Sequence, residues 1–305
     1  MSKRLSFLVL LTVTLNPALS WACACGCGVF DVGTGTMMPT NSGGTVWLEY
    51  DFLDQVNNWS GTSQAPKDNN PDKHLLSQFF RAGGEYMFDR SWGVMAMVPY
   101  IQRSFKTTDD DTGNIFTARH GDIGDVHLQG VYSGFSDDMS TGVTFGLKLP
   151  NGDYHHSGFD RDTEIGTGST DLLLGFYHMG ALTADSSFNW FSNGQWERAM
   201  TIQNNYRPGD EYDLAVGSYY NAGLVGGGRL APLLQLLGSY RLRDSGINAD
   251  PGNSGYTRLL ISPGAEYDID AIKLYADLEF PLYQNINGNQ LTAPVQAKFI
   301  VGYSF

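Results

Sequence analysis

The chain is poor in cysteine, in basic residues and in long apolar runs. Only 3 of its 305 residues are Cys, which is too few for a fold built on disulfides. Its 19 basic residues against 32 acidic ones give a net charge of −13, which argues against a nucleic-acid partner because such proteins need a basic surface. After residue 22 no apolar stretch reaches the roughly 18 residues of a spanning helix. The mean hydropathy of −0.23 also argues against a helical membrane bundle, but it leaves open a membrane β-barrel, whose strands are apolar on one face only.

The beginning of the chain has the pattern of a secretory signal peptide, predicted over residues 1–22. Lys3 and Arg4 form a short positive region, an apolar stretch follows, and Ser20 and Ala22 occupy the −3 and −1 positions of a cleavage site. Cleavage there leaves 17 basic against 32 acidic residues, a net charge of −15. An uncleaved anchor is the alternative.

The rest of the chain alternates between apolar and polar residues with period 2. From Val295 to Phe305 every odd-numbered residue is apolar, whereas Gln296 and Lys298 lie between them. Successive side chains of a strand point to opposite faces, so each such segment has one apolar and one polar face. Twelve segments of this kind are predicted, at 44–53, 75–88, 91–104, 122–134, 140–150, 169–181, 186–199, 210–222, 230–243, 256–268, 271–284 and 294–305.

The connections between these segments alternate between long and short. The long ones, rich in Asp, Asn, Gly, Ser and Pro, lie near 54–74, 105–121, 151–168, 200–209, 244–255 and 285–293. An even number of strands with short turns at one end and long loops at the other is typical of an outer-membrane barrel. The predicted fold is therefore all-β, a transmembrane antiparallel β-barrel of about 12 strands over residues 44–305, preceded by a Cys-containing segment at 23–43.

Two further features favour a membrane barrel over a secreted β-sandwich. Most predicted strands run about 10–14 residues, which is long for a sandwich and sufficient to cross a membrane when tilted. Aromatic residues also gather near strand ends, as expected of girdles at two membrane interfaces. Examples are Tyr50, Phe52, Tyr86, Phe88, Trp92, Tyr100, Tyr132, Phe135, Phe176, Tyr177, Tyr267 and Tyr283.

The polar faces would line the lumen, with nine acidic and seven basic side chains, which is nearly balanced. The predicted lumen acids are Glu49, Asp51, Glu85, Asp125, Asp171, Asp213, Glu266, Asp277 and Glu279, and the bases are Arg81, Lys148, Arg241, Arg243, Arg258, Lys273 and Lys298. A barrel of eight strands is filled by side chains and one of sixteen holds open water, so twelve strands predict a narrow or gated passage. Most of the charged residues are expected to satisfy one another. The candidates for a selective stretch are Arg241, Arg243, Arg258 and Lys273 on neighbouring strands, together with Asp277 and Glu279.

The three cysteines lie together in Cys23-Ala-Cys25-Gly-Cys27-Gly. Alternate spacing with small residues lets three thiolates converge, and such soft ligands suit Cu(I) or another thiophilic metal. An intermolecular disulfide or redox chemistry are alternatives, since an odd count leaves one thiol over. Lipidation of Cys23 is a further one, although Ser20 stands where a lipobox has Leu.

Four short motifs resemble a known family. Gly121–Val126, Leu147–Asp153, Gly166–Asp171 and the closing Val301–Phe305 are similar to strand starts and ends of the outer-membrane proteins grouped under the meta-pathway of phenol degradation. The resemblance implies an outer-membrane transporter or channel, linked to uptake of hydrophobic or aromatic compounds. The Cys-x-Cys-x-Cys opening is not among the matching motifs and suggests a metal-linked branch. The terminal Phe305 resembles the signature that the barrel-assembly machinery recognises.

The sequence thus predicts a passive channel or transporter for small solutes in the outer membrane of a Gram-negative bacterium, with membrane lipid and the assembly machinery as partners. A structural or binding barrel without transport is the alternative. A lipid hydrolase is the third possibility, because His155-His156-Ser157 offers a His-x-Ser pattern. That pattern falls in a loop and Ser169 stands where a later Asn is expected, so no catalytic function is predicted.

Overall fold

The computed structural model describes residues 42–109 and 111–305, and over these residues the chain is built from β-strands. Lys67–Asn69 forms one turn of 3-10 helix. No helix in the described part of the chain is long and apolar enough to cross a membrane. The strands are β1 (Gly43–Gln55), β2 (Asn57–Gly61), β3 (Ser63–Gln64), β4 (His74–Met87), β5 (Trp92–Thr108), β6 (Ile115–Ile123), β7 (Val126–Tyr132), β8 (Thr141–Leu149), β9 (Thr170–Ala181), β10 (Phe188–Thr201), β11 (Glu211–Tyr220), β12 (Leu224–Val225), β13 (Gly228–Arg241), β14 (Tyr256–Ile269), β15 (Ile272–Thr292) and β16 (Gln296–Ser304).

Twelve strands of the described chain close into one antiparallel barrel. Their order around the wall is β1, β4, β5, β7, β8, β9, β10, β11, β13, β14, β15 and β16, and β16 pairs back with β1. The strands β6 and β7 both pair with β5, so that together they form one wall strand interrupted at Gly124 and Asp125. The predicted all-β antiparallel barrel of about 12 strands is confirmed.

Short turns join the strands at one end of the barrel and long connections join them at the other. We call these ends the turn end and the loop end. The turns are closed by aspartates that accept nearby hydrogen bonds. Asp89 Oδ1 accepts from the backbone N–H of Ser91 at 2.6 Å. Hydrogen bonds from Thr183 and Ser187 to the carboxylate lower the pKa of Asp185 to about 2. Short turns fixed in this way set the register of the strands that they join.

The strands extend further at the loop end than the sequence pattern predicts. Most of the predicted loop 105–121 is a hairpin, because β5 runs to Thr108 and β6 begins at Ile115. The predicted loop 285–293 is also mostly strand, since the far part of β15 pairs with β2. Both corrections have one cause, because cross-strand backbone hydrogen bonds continue beyond the segments where apolar and polar residues alternate.

Side chains alternate between the two faces of the wall as the period predicts. On β1, Trp47, Glu49 and Asp51 are buried inside the barrel, whereas Val46 and Leu48 project outward and Leu48 is 66% exposed. The same alternation recurs along the other wall strands, so the outer surface is a band of exposed apolar side chains. Such a surface is stable in lipid, and a closed barrel leaves no unpaired strand edge there.

Outward-facing aromatic rings form bands near both ends. At the turn end Trp92 contacts Tyr132 with ring centroids 4.7 Å apart, and at the loop end Tyr212 lies 6.1 Å from Tyr240. The bands fit the predicted interface girdles. Tyr177, which the sequence pattern places in a girdle, is an exception: it is buried inside the barrel, because it lies on the inward face of β9.

The two ends of the barrel chain meet at the turn end. The N–H of Gly44 donates to the carbonyl of Phe305 at 2.9 Å, and the N–H of Phe305 donates to the carbonyl of Gly44 at 2.8 Å. A Cβ on Gly43 would lie 2.5 Å from the Phe305 carbonyl oxygen, and Gly43 has a φ of +122°, so this closure favours glycine at position 43. Recognition of Phe305 by the assembly machinery stays a prediction.

Candidate functional site: a charged lumen beneath a covered mouth

The first charged network of the lumen is centred on Arg81 of β4. Its Nη1 donates to Glu49 Oε1 at 2.5 Å and also to Asp51 Oδ2, both on β1. Lys298 of β16 lies 3.8 Å from each of these carboxylates. Glu49 stands directly opposite Arg81 and Asp51 directly opposite Lys298, so period 2 brings all four to one face. Both cations of this buried network are thus paired with carboxylates.

A second set of polar groups holds Asp277 of β15. Its Oδ2 accepts hydrogen bonds from Tyr275 at 2.6 Å, Ser262 at 2.7 Å and Gln235 at 2.9 Å. Asp277 also stands opposite Lys298, which makes this cluster continuous with the Arg81 network. The carboxylate is therefore held in place by neighbours from three strands.

A third network lies on a distant part of the wall, at β8, β9 and β10. Lys148 Nζ lies 2.5 Å from Asp171 Oδ2 and also bonds Glu197. Gln129 of β7 donates to Gln195 of β10 at 3.2 Å. Since β9 is nearly opposite β1 in the strand order, paired charges line the middle of the lumen on both sides.

Apolar layers lie on either side of the charged middle. Toward the turn end, one group is Trp47, Tyr275 and Ile300 and another is Met87, Val131, Met139 and Tyr177. Toward the loop end, Leu53, Phe79 and Ile101 face inward and pack together. Along the barrel axis the interior therefore consists of an apolar layer, a middle of paired charges and a second apolar layer.

The connection between β8 and β9, residues 150–169, folds inward and covers the loop end of the lumen. Its residues Asp162, Thr163, Glu164 and Ile165 are buried, and Ile165 packs on the apolar layer of Leu53, Phe79 and Ile101. We call residues 150–169 the cover loop. Arg103 of β5 holds it, because Nη1 donates to the carbonyls of Thr163 at 2.5 Å and Glu164 at 2.6 Å.

Asp125 fixes the two ends of the cover loop. Its Oδ1 accepts from the N–H of Gly152 at 2.9 Å, and its Oδ2 accepts from the N–H and the hydroxyl of Thr167 at 2.8 and 2.7 Å. Gly152 and Gly166 touch closely, since a Cβ on Gly166 would lie 2.2 Å from the Gly152 carbonyl oxygen. The three motifs that carry the family resemblance before the C-terminus thus meet at one point. The motifs can be located along the chain from the sequence, but this contact between them cannot be predicted from it.

The last part of β15 forms a second cover segment. Gln55 Nε2 donates to the carbonyl of Leu291 at 2.8 Å, and the Leu291 side chain packs on Leu75 and Phe105. Ala293 joins the same apolar layer as Ile165. The mouth is therefore covered by two segments that meet over the lumen-facing residues of β1, β4 and β5.

Two acidic groups of the mouth are held away from water, outside the membrane-spanning wall. Burial raises the pKa of Glu164 to about 7, and the nearby charge of Asp153 adds to the shift. Burial likewise raises the pKa of Asp72 well above its usual value, with Asp160 as a repelling neighbour. A raised pKa favours the protonated form of both groups while the mouth is covered. The stability of the covered mouth therefore depends on pH.

The structure brings the predicted selectivity residues to different places. Arg241 and Arg258 are buried near the loop end, where Arg241 bonds Asp244 at 2.9 Å and Arg258 lies 4.0 Å from the Tyr256 ring. Arg243 is exposed beyond the end of β13, so it is not a lumen residue.

Lys273 lies at the opposite end of the wall from the arginines. It stands opposite Asp268, whereas Arg258 stands opposite Gln284, and eleven residues of strand span about 35 Å. The four basic residues are therefore not one cluster, because the antiparallel register separates them. Asp277 and Glu279 both lie inside the charged middle.

The predicted metal ligands Cys23, Cys25 and Cys27 lie outside the described residues, as does the predicted signal peptide 1–22. The sequence pattern also missed Arg103 and Asp125 as parts of the site. The alternation predicts Asp125 on the lumen face, where it is buried, but does not predict that its carboxylate bonds the cover loop.

Comparison with known proteins finds similarity in fold. No protein-family model matches the chain, and no curated protein matches it. Among solved structures, an outer membrane channel from Pseudomonas putida F1 is 13% identical, covers 90% of this chain and 100% of its own, and superimposes with a TM-score of 0.66. The CymD monoaromatic hydrocarbon channel is 10% identical with a TM-score of 0.48, covering 88% of this chain and 90% of its own.

The similarity to the Pseudomonas channel extends over nearly the whole of both chains and shows a shared fold. An even-stranded closed barrel with an apolar outer surface, aromatic bands and long loops at one end is the architecture of outer-membrane proteins. The fold therefore places this chain in a bacterial outer membrane.

Proposed function

We propose that the barrel is a passive channel for small solutes whose mouth is closed by the cover loop. The observation that carries the proposal is the seating of Thr163 and Glu164 on Arg103, directly above a lumen lined by paired charges. A covering segment held by a few hydrogen bonds can leave without disturbing the wall. Opening would expose a continuous passage from the loop end to the turn end.

The layered lumen favours solutes that are largely apolar and carry few polar groups. Phe79 and Ile101 line one apolar layer and Trp47 the other, while the basic side chains between them are already paired with carboxylates. An ion would gain little from such paired charges, whereas an aromatic compound finds apolar contacts on either side. This agrees with the uptake of hydrophobic compounds that the family resemblance implies.

Membership of the family grouped under the meta-pathway of phenol degradation is part of this proposal. Support comes from Asp125, Gly152 and Thr167, which belong to three different motifs and bond one another. A contact that joins the motifs gives a physical reason for them to occur together.

Solute flux through the reconstituted protein tests the function. We expect planar-bilayer recordings to show infrequent small openings, and liposomes to admit small aromatic alcohols faster than charged analogues of the same size. Arg103→Ala, which removes two bonds to the cover loop, is expected to open the channel more often. If neither protein passes current or solute, the barrel has a structural or binding role, and hydrolysis of lipid in the same liposomes would indicate an enzyme.

A second candidate function is a binding barrel without transport. The covered mouth favours it, because Ile165 and Leu291 fill the apolar layer from above. The two functions differ in the Arg103→Ala protein: a channel gains flux, whereas a binding barrel gains none.

We further propose that Cys23, Cys25 and Cys27 bind a thiophilic metal such as Cu(I), since three thiolates at alternate positions are soft ligands. Titration of a peptide covering residues 23–28 with Cu(I) measures this. Binding no stronger than that of the peptide with all three residues changed to Ser would exclude the site.

A further inference from the structure

Two histidines and one aspartate meet at the loop end, outside the lumen networks. His120 lies on β6, and Asp153 and His156 belong to the cover loop. His120 Nε2 is 3.3 Å from Asp153 Oδ2, and His156 Nδ1 is 3.7 Å from the same oxygen. One ligand atom of each residue lies within 4.8 Å of the other two.

Ordinary hydrogen bonding does not account for this arrangement. His120 Nε2 is buried and makes no hydrogen bond, despite its short distance from Asp153. The imidazoles of His120 and His156 stack with centroids 3.7 Å apart and planes only 11° from parallel. The ring nitrogens of the two imidazoles therefore lie close together, and imidazole nitrogen is the commonest protein ligand of metal ions.

The backbone and the neighbouring ring hold the three residues in place. Asp153 Oδ1 accepts from the N–H of His155 at 3.0 Å, which turns Oδ2 toward the imidazoles, and the Asp153 carbonyl accepts from the N–H of Gly166 at 2.8 Å. Phe159 lies beside both histidine rings, at 6.3 Å from His120 and 5.7 Å from His156. Asp153 and His156 are therefore held in place within the cover loop, facing His120 of β6.

We propose that His120, Asp153 and His156 form a binding site for a divalent transition-metal ion of the zinc class. Two imidazole nitrogens and one carboxylate oxygen are the ligand set of many zinc sites, with water in the fourth position. Ligand atoms bonded at about 2.1 Å lie roughly 3.4 Å apart around a tetrahedral ion, close to the observed 3.3 and 3.7 Å. Calcium and magnesium prefer oxygen ligands, so the two imidazoles select against them.

The bound ion would join β6 of the wall to the cover loop. The loop has its own attachments at Asp125 and Arg103, and the metal adds a third between them. Anything that binds only the seated loop stabilises that state by mass action. Zinc is therefore expected to hold the mouth closed. The site itself does not rest on the channel function, since it is defined by the three side chains.

Calorimetric titration of the full-length protein in detergent with ZnCl₂ tests the site. Because the predicted cysteine site can also bind zinc, the titration is repeated with Cys23, Cys25 and Cys27 changed to Ser. We expect one zinc site to remain in that protein, and His120→Ala or His156→Ala in the same background to weaken it at least about tenfold. Absence of a zinc site in the Cys-free protein would overturn the proposal.

A matched control is His74→Ala. His74 also lies at the loop end beside an aspartate, Asp54, but among the described residues no second imidazole completes a set there. The control is expected to bind zinc as the Cys-free protein does; equal losses in His74→Ala and His120→Ala would contradict the assignment. Heat-modifiable migration on gels confirms that each variant is folded, and Co²⁺ absorption in place of zinc reports the ligand set directly. None of these measurements depends on transport, so failure of the channel proposal and failure of the metal site are distinguishable.

Discussion

The wall and the covered mouth of this barrel are stabilised in different ways. The wall is a closed ladder in which Glu49 and Arg81 stand directly opposite each other, so every neighbour is fixed by strand register. The mouth is held by single contacts from distant parts of the chain, such as Arg103 to Thr163 and Gln55 to Leu291. Loss of one group should therefore unfold or destabilise the whole wall, whereas the mouth should open locally.

Removal of Arg81 is the strongest test of the wall. Arg81→Ala leaves Glu49 and Asp51 buried with only Lys298 nearby, and breaking a buried ion pair from one side costs about 3–5 kcal/mol. Urea unfolding in lipid vesicles should show this loss in the global transition. The matched control is Arg90→Ala, whose exposed pair with Asp137 is worth about 1 kcal/mol or less. Similar values for the two variants would mean that the lumen network does not stabilise the wall.

Removal of the Asp125 side chain should release the cover loop while the wall stays folded. Asp125→Ala abolishes three hydrogen bonds to Gly152 and Thr167, with a local cost of about 3 kcal/mol. We expect protease to cleave the cover loop at least tenfold faster while the urea midpoint of the barrel changes little. Asp122→Ala is the control, because Asp122 lies in the same motif and is exposed. Global unfolding at lower urea would show that mouth and wall are one cooperative unit.

The same contrast explains which features could be predicted from sequence. Glu49, Arg81 and Lys298 were all assigned correctly to the lumen, because alternation records the two faces of every wall strand. Asp162–Ile165 follow no period, and their burial depends on Arg103, which is far away in sequence. The residues of the cover loop alone therefore do not predict that Arg103 binds it.

Strand ends and registers show the same limit. Arg243 continues the alternation of β13, yet the strand stops at Arg241, whose guanidinium bonds Asp244 just beyond it. Lys273 and Arg258 lie on neighbouring strands, so the strand order alone suggests that they are adjacent. The register instead places Arg258 near the loop end and Lys273 near the turn end. Such distances depend on pairing, which a period of two leaves undetermined.

A rise in pH should loosen the covered mouth. Because burial raises the pKa of Glu164 to about 7, the seated loop is most stable below the pKa of an unfolded Glu, about 4.5, and loses stability as pH rises through about 7. Proteolysis of the cover loop should therefore become several-fold faster from pH 5 to pH 8. Glu164→Gln should remove most of this dependence and Asp72→Asn the remainder. Slower proteolysis of the cover loop at pH 8 than at pH 5 would contradict the raised pKa of Glu164.

The turn end should give the smallest effect and the opposite sign. The pKa of Asp185 is lowered to about 2, so its hydrogen bonds from Thr183 and Ser187 stabilise the turn above the pKa of an unfolded Asp and are lost as pH falls toward 2. Asp185→Ala is therefore expected to leave solute flux unchanged and to shift the urea midpoint slightly at pH 7 and by less at pH 2. The turn is exposed and closes a register that the flanking strands already fix. A change in flux would mean that the turn end also controls access to the lumen, and the functional contrast between the two ends would fail.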